Sequence, residues 1–375
     1  VRKQSLHIDP GNYFGERKMT PKETDQQEMR ASFLYGIRDV RVESVRRPEP
    51  GPEEVLLEVA SVGGCGSDVH YYLEGRIGHQ VVSDPIIMGH EFSARVSRLG
   101  EGVSGLKEGQ LVAVEPGIPC GNCELCQQGH PNLCPSVRFC GTPPVNGVFA
   151  DYTLMPAGNC FPLPEGFSAD DGALLEPLGV GLHAVNLSHL KPGQTVAVLG
   201  AGPIGLLIAA VAKAAGASEV YMTEPLAYRR NFALDYIADA VLDPNGQDIH
   251  AELLRLTGGR GVDVAFEAAG VPETPQQAAD LVRPGGIVVL AGIPAEDTLT
   301  FSASIVRRKG LTIKLVRRMK HTYPRTIRLV QTGKVNLTPL ATHFLPLERI
   351  CDAFEMVAGY QDGVIKAIVR VKDQV

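Results

Sequence analysis

The stretch TVAVLGAGPIGLLIAAVAKAAGASEVYMTE, residues 195–224, changes character three times. An apolar β-type run ends in the glycines Gly200, Gly202 and Gly205, an alanine-rich helical run follows, and a second β-type run closes on Glu224. Glycines spaced G-x-G-x-x-G between a strand and a helix form a dinucleotide-binding turn. Gly200 permits the tight turn, Gly202 lets backbone amides approach a pyrophosphate, and Gly205 lets helix and strand pack closely. Pro203 and Ile204 open the helix between them, and its N-terminus carries about half a positive charge toward the phosphates. Glu224 stands nineteen positions after Gly205. A carboxylate there binds both ribose hydroxyls of an adenosine and repels a 2′-phosphate, which favours NAD over NADP. Arg229 and Arg230 lie close enough in sequence to soften that preference.

Downstream, the β-type runs VDVAFEAAG (262–270), GIVVLAG (286–292) and LTIKLV (311–316) alternate with helical stretches. This alternation predicts a doubly wound parallel sheet with helices on both faces. Upstream the rhythm differs. From residue 31 to about 160, short β-type runs such as EVLLEVASVG (54–63), FSARVSRLG (92–100) and FADYTLMP (149–156) sit between glycines and prolines. They predict a partly open barrel or sandwich. The terminal run GVIKAIVRV (363–371) reads as a strand able to return to this first unit. The expected organisation is a flexible extension over 1–28, a catalytic domain from 29–180 and 320–375, and a nucleotide domain from 181–319.

A chain of 375 residues buries enough apolar interior without disulfides. A formal net charge of −6 with dispersed basic residues argues against a nucleic-acid partner. No run of eighteen apolar residues exists, and VRKQSLHIDPGNYFGERK at the N-terminus lacks the apolar centre of a signal peptide, so the chain reads as cytoplasmic with no membrane partner. In that reducing setting, clustered cysteines point to metal.

Four of the eight cysteines, Cys120, Cys123, Cys126 and Cys134, fall within CGNCELCQQGHPNLC with gaps of two, two and seven residues. Four thiolates suit a closed, tetrahedral structural zinc site. An iron–sulfur cluster fits less well because the last gap is long, and a nucleic-acid finger lacks basic surface. A second constellation joins Cys65 in GGCGSDVHYY, His90 and Glu91 in MGHEFSARV, and Glu176 inside the apolar run GALLEPLGVGLHA. A carboxylate in such a run is costly to bury unless paired or metal-bound. Three protein ligands with an open fourth position suit a catalytic zinc that receives a substrate oxygen and lowers its proton affinity.

The motifs CGSDVHYYLEGRIG, GHEFSARV, the cysteine lobe, RFCGTPPVNG, LLEPLGVGLHA and GAGPIG together resemble the zinc-dependent medium-chain dehydrogenases, specifically their polyol (sorbitol and xylitol) branch. The resemblance runs from Met29 to about Val371. It implies a GroES-like catalytic domain beside a Rossmann domain, one catalytic and one structural zinc per chain, NAD as cofactor, a polyol as substrate, and a homotetramer. It implies that Cys65, His90, Glu91 and Glu176 form the catalytic zinc pocket, leaving open which carboxylate touches the ion. Ser67 and His70 resemble the proton relay. Tyr71, Phe139, Thr142 and Arg318 match positions lining the polyol pocket, and Arg229 matches the arginine packing on the adenosine. Gly64 and Met319 depart from the usual branched aliphatic and aromatic residues. The implied reaction is NAD-dependent oxidation of a secondary hydroxyl to the ketose. Threonine or 2,3-butanediol dehydrogenation on the same scaffold, and a non-catalytic NAD-binding role, are the competing readings.

Overall fold

The computed structural model describes residues 27–294 and 298–372, so the expected extension over 1–28 lies outside them except for its last two positions. Glu28 already belongs to the first strand, Glu28–Gly36, where it pairs with Arg46.

The six strands Thr195–Leu199, Glu219–Thr223, Ala240–Leu242, Val262–Glu267, Val282–Leu290 and Thr312–Leu315 form one sheet in which every pairing is parallel. Numbered along the chain, they lie in the order 3-2-1-4-5-6. That order reverses direction between Thr195–Leu199 and Val262–Glu267, which opens a crevice at their carboxyl ends. The strand Val262–Glu267 is buried throughout, as expected for a central strand covered by helices on both faces.

The other principal sheet has seven strands. Its path runs Cys160–Pro162, Leu111–Val114, Glu91–Leu99, Glu54–Gly63, Lys366–Arg370, Ala341–Pro346, and Tyr152–Pro156 also pairs with Glu54–Gly63. The terminal strand Lys366–Arg370 sits antiparallel to Glu54–Gly63 and parallel to Ala341–Pro346. A three-stranded sheet of Asp39–Arg46, Glu28–Gly36 and Ile86–Ile87 stands beside it. Leu34, Phe92, Phe149 and Phe354 fill the core of this half, with the last two rings packed edge-on at 5.6 Å between centroids.

One helix, Ala169–Ser188, joins the halves. Ser168 caps it, accepting the Asp171 N–H at 3.0 Å while Asp171 returns the contact to the Ser168 N–H. The helix is apolar on nearly all sides because it packs on the strand Glu91–Leu99 and on the nucleotide-side helix Pro203–Ala214. The expected boundary between residues 180 and 181 falls inside this helix. Among the described residues, no helix is long and apolar enough to cross a membrane.

Candidate active site

Antiparallel register places Gly63 opposite Glu91. Cys65 therefore leaves one strand just where His90 and Glu91 enter its neighbour. Cys65 also caps the helix Gly66–Glu74, whose third residue, Asp68, is buried. Asp68 Oδ2 accepts the Cys65 N–H at 3.2 Å, and Oδ1 accepts the Gly89 N–H at 3.1 Å. The same Oδ1 lies 3.6 Å from His90 Nδ1, which leaves Nε2 as the ring nitrogen for an ion. The ligand atoms of Cys65, His90 and Glu91 all lie within 4.8 Å of one another. One thiolate, one imidazole and one carboxylate form a donor set that zinc accepts with a position to spare.

The surrounding charges agree with a cation site. Burial favours a neutral His90 ring, yet Asp68 and Cys65 overcome it and raise the imidazole well above its ordinary value. Glu176 is buried on the joining helix and does not belong to the three-donor set. Burial, reinforced by Glu91, pushes its carboxyl up to about 7 against the pull of His90, Lys366 and Arg318. Lys366, on the terminal strand, is also buried, and its Nζ lies 2.5 Å from Glu91 Oε2. Burial lowers its proton affinity, but Glu91, Cys65 and Glu176 outweigh burial and raise it.

Beyond these groups, His90 meets Phe139 in a tilted contact at 5.3 Å, and the Arg318 guanidinium carbon lies over that ring, 3.8 Å from its centroid. Tyr71 hydrogen-bonds Thr142 and is held above its usual value by burial, while Arg318 pulls the other way. The four residues expected to line a substrate pocket thus converge. Burial lowers Arg318 to about 10, and its Nη1 is buried without a partner. A cavity of about 20 Å³, room for one water or hydroxyl, lies between Glu115, Asn132, Phe139, Arg318 and Met319. Ser67 and His70 lie half-buried on the helix Gly66–Glu74, and His70 Nδ1 reaches Glu74 Oε1 at 3.2 Å.

At the glycine turn, Gly200 adopts φ +100°, and a Cβ on Gly205 would strike the Gly200 carbonyl. Gly202 caps the helix Pro203–Ala214, so Pro203 and Ile204 form its first turn. Glu224 is buried beside it, Oε2 accepting the Ala201 N–H at 2.9 Å and Oε1 the Leu226 N–H at 3.0 Å. Each oxygen keeps a lone pair for a ribose hydroxyl. Arg229 stands next to Gly202 and stacks on Tyr360 at 4.8 Å. Arg230 donates to the Glu224 and Pro225 carbonyls and pairs with Asp243 at 2.9 Å.

Cys120, Cys123, Cys126 and Cys134 bring their sulfurs within 4.8 Å of one another. Cys134 and Cys120 Sγ are 3.5 Å apart, well beyond the roughly 2.05 Å of a disulfide, and the Asn122 and Cys123 amides lower Cys120 to about 6. Four sulfurs gathered this closely suit a structural zinc.

Sequence reasoning missed Asp68, which sits inside a quoted motif, and Lys366. The signal for Lys366 was available, since a lone charge in GVIKAIVRV resembles Glu176 in its own apolar run.

Two family models match this chain. "Alcohol dehydrogenase GroES-like domain" covers residues 51–165, and "Zinc-binding dehydrogenase" covers 203–332. The chain is 38% identical to the sorbitol dehydrogenase of Bacillus subtilis over 346 residues, 92% of this chain and 98% of that one. It is 40% identical to D-xylulose reductase A of Aspergillus niger over 348 residues, 90% and 96% of the two chains. The crystal structure of 2R,3R-butanediol dehydrogenase from Bacillus subtilis superposes with a TM-score of 0.84 at 34% identity, covering 92% of this chain and all of that one.

Proposed function

Because the chain belongs to the zinc-dependent medium-chain dehydrogenases of the polyol branch, we propose that it oxidises a secondary hydroxyl of a sorbitol- or xylitol-like polyol to the ketose and delivers the hydride to NAD. The observation that carries this reading is the meeting of Cys65, His90 and Glu91 within 4.8 Å. Beside them stand Phe139 and an Arg318 whose Nη1 has no protein partner.

Cys65, His90 and Glu91 would hold the catalytic zinc, which when bound supplies a Lewis acid that lowers the proton affinity of a substrate hydroxyl. Glu176, with a carboxyl near neutrality, is suited to hold or release a proton beside that hydroxyl. Ser67 and His70 carry the proton outward along the helix Gly66–Glu74. Arg318 donates to hydroxyls further along the polyol, and Tyr71, Thr142 and Phe139 shape the pocket around them. Gly200, Gly202 and Gly205 cradle the pyrophosphate, Glu224 binds the adenosine ribose, and Arg229 lines the crevice beside Gly202. The four-cysteine lobe would hold the second zinc.

The two lobes meet along the helix Ala169–Ser188, and we assign catalysis to the first lobe and cofactor binding to the second. Clustered cysteines that serve metal and not disulfides accord with a reducing, cytoplasmic setting. A homotetramer is the assembly that the polyol-branch resemblance supports.

Butanediol dehydrogenation is the second reading, favoured by the 34% identical structure. A four-carbon diol leaves Arg318 nothing to bind, so the two readings separate on chain length. The experiment measures NADH formation by the zinc-loaded protein with sorbitol, xylitol, ribitol, threonine and 2,3-butanediol, each with NAD and with NADP. Turnover of a polyol with NAD is the expected result. Activity confined to threonine or butanediol overturns the substrate assignment, and silence throughout returns the chain to a non-catalytic NAD-binding role.

A further inference from the structure

The segment between the third and fourth lobe cysteines reaches across the fold to the residues on either side of Arg318. Asn132 Nδ2 donates to the Arg317 carbonyl at 2.9 Å, across 185 positions of sequence. Lys320 Nζ meets His130 Nδ1 at 3.0 Å. Between these two ties Arg318 has φ +55°, and just past the second His321 has φ +49°, a region that non-glycine residues seldom occupy. Such a conformation persists only where surroundings over-determine it. Here the surroundings are the two ties, the buried Met319 against Gly179 of the joining helix, and the Phe139 ring under the guanidinium. Asn132 and Arg318 also line the same cavity.

Asn132 precedes Cys134 by two residues, and His130 lies midway between Cys126 and Cys134. Any movement of the cysteine cluster therefore moves both ties.

We propose that the four-cysteine lobe is a positioning element for polyol recognition: Asn132 and His130 hold residues 317–320 so that Arg318 presents its unpartnered Nη1 to the hydroxyls far from the reacting carbon. This rests on the reading that Arg318 binds those hydroxyls. Neither Asn132 nor His130 belongs to the Cys65, His90 and Glu91 set, so the lobe acts on affinity for long polyols and leaves the chemical step alone.

The test compares the full-length zinc-loaded parent with Asn132→Ala, His130→Ala and Arg318→Ala. For Asn132→Ala the KM for sorbitol rises about tenfold or more, kcat stays within about twofold, and the KM for NAD is unchanged. Hydrogen exchange of the amides over 316–322 accelerates in the same variant and in parent protein whose lobe metal has been removed by mild chelation, followed by zinc content. If Asn132→Ala lowers thermal stability so far that kinetics cannot be read, His130→Ala carries the same two measurements. Parent-like sorbitol KM and exchange in both variants overturns the proposal, provided Arg318→Ala still raises the sorbitol KM. An Arg318→Ala variant with parent-like sorbitol KM overturns instead the role of Arg318 on which the proposal stands.

Discussion

Lys366 Nζ and Glu91 Oε2 form an ion pair at 2.5 Å in which both side chains are almost wholly buried, at 3% and 1% exposure. The pair lies against Gly63, where any Cβ would collide with the Glu91 carboxylate. A carboxylate of the Cys65, His90 and Glu91 cluster thus carries its own counter-cation.

Breaking a buried pair by removing one partner costs about 3–5 kcal/mol, because the remaining charge is left uncompensated. Lys366→Met should therefore lower the melting temperature of the metal-free protein by on the order of 10 °C. A bound dication compensates Glu91 in place of the lysine, so the zinc-loaded variant should lose much less. Thermal scans with and without zinc make the comparison, and equal losses would show that the metal does not take over the lysine's role beside Glu91.

Glu176→Gln keeps the side-chain volume and removes the ionisable group. Turnover should fall about 100-fold or more, the usual scale of a lost proton-transfer group. Stability should not fall with it. Burial raises this carboxyl from its unfolded value of roughly 4.3 to about 7, so ionising it withdraws native-state stability as pH rises through that interval. Near-parental turnover of a zinc-loaded Glu176→Gln protein would remove the residue from the reaction.

Glu224→Ser should invert the cofactor balance. The change removes the carboxylate that repels a 2′-phosphate and leaves Arg230 nearby, tied to the Glu224 and Pro225 carbonyls. The KM for NAD should rise about tenfold or more while the KM for NADP falls. Initial-rate kinetics with both cofactors decide it, and an unchanged ratio would mean that discrimination lies elsewhere.

Asp263 predicts the acid limb of stability. Its carboxylate accepts from Arg260, Arg283 and the Thr195 N–H, and these partners overcome its burial to hold it far below the usual carboxylate range. A depressed native value means that its contribution is complete above the unfolded pKa of roughly 3.9 and drains away as pH falls below it. Asp263→Asn should reduce stability at pH 7 and flatten the loss between about pH 4 and 2. Urea unfolding across that interval measures it, and parallel curves would assign the acid limb to other groups.

The glycine turn, the cysteine spacing and the alternation after residue 195 were legible because each is a local pattern with one physical purpose. The donor set was legible as residue types, but which carboxylate stands with Cys65 and His90 was not. That depends on the register placing Gly63 opposite Glu91, and strand register is a long-range property. Lys366 was read only as part of a strand, since nothing local says that its partner lies 275 positions earlier. The expected boundary at 180/181 lies within Ala169–Ser188, which packs on both sheets and whose evenly apolar surface offers no seam to read.

The strand Lys366–Arg370 lies between Glu54–Gly63 and Ala341–Pro346 and supplies the cation that steadies Glu91. It also follows every strand of the parallel sheet in chain order. During synthesis the nucleotide lobe, whose sheet strands all lie between Thr195 and Leu315, can finish while the catalytic lobe still lacks an interior strand. A chain that stops before Lys366 would keep every strand of the parallel sheet and lack the cation beside Glu91, so its two lobes would differ in completeness.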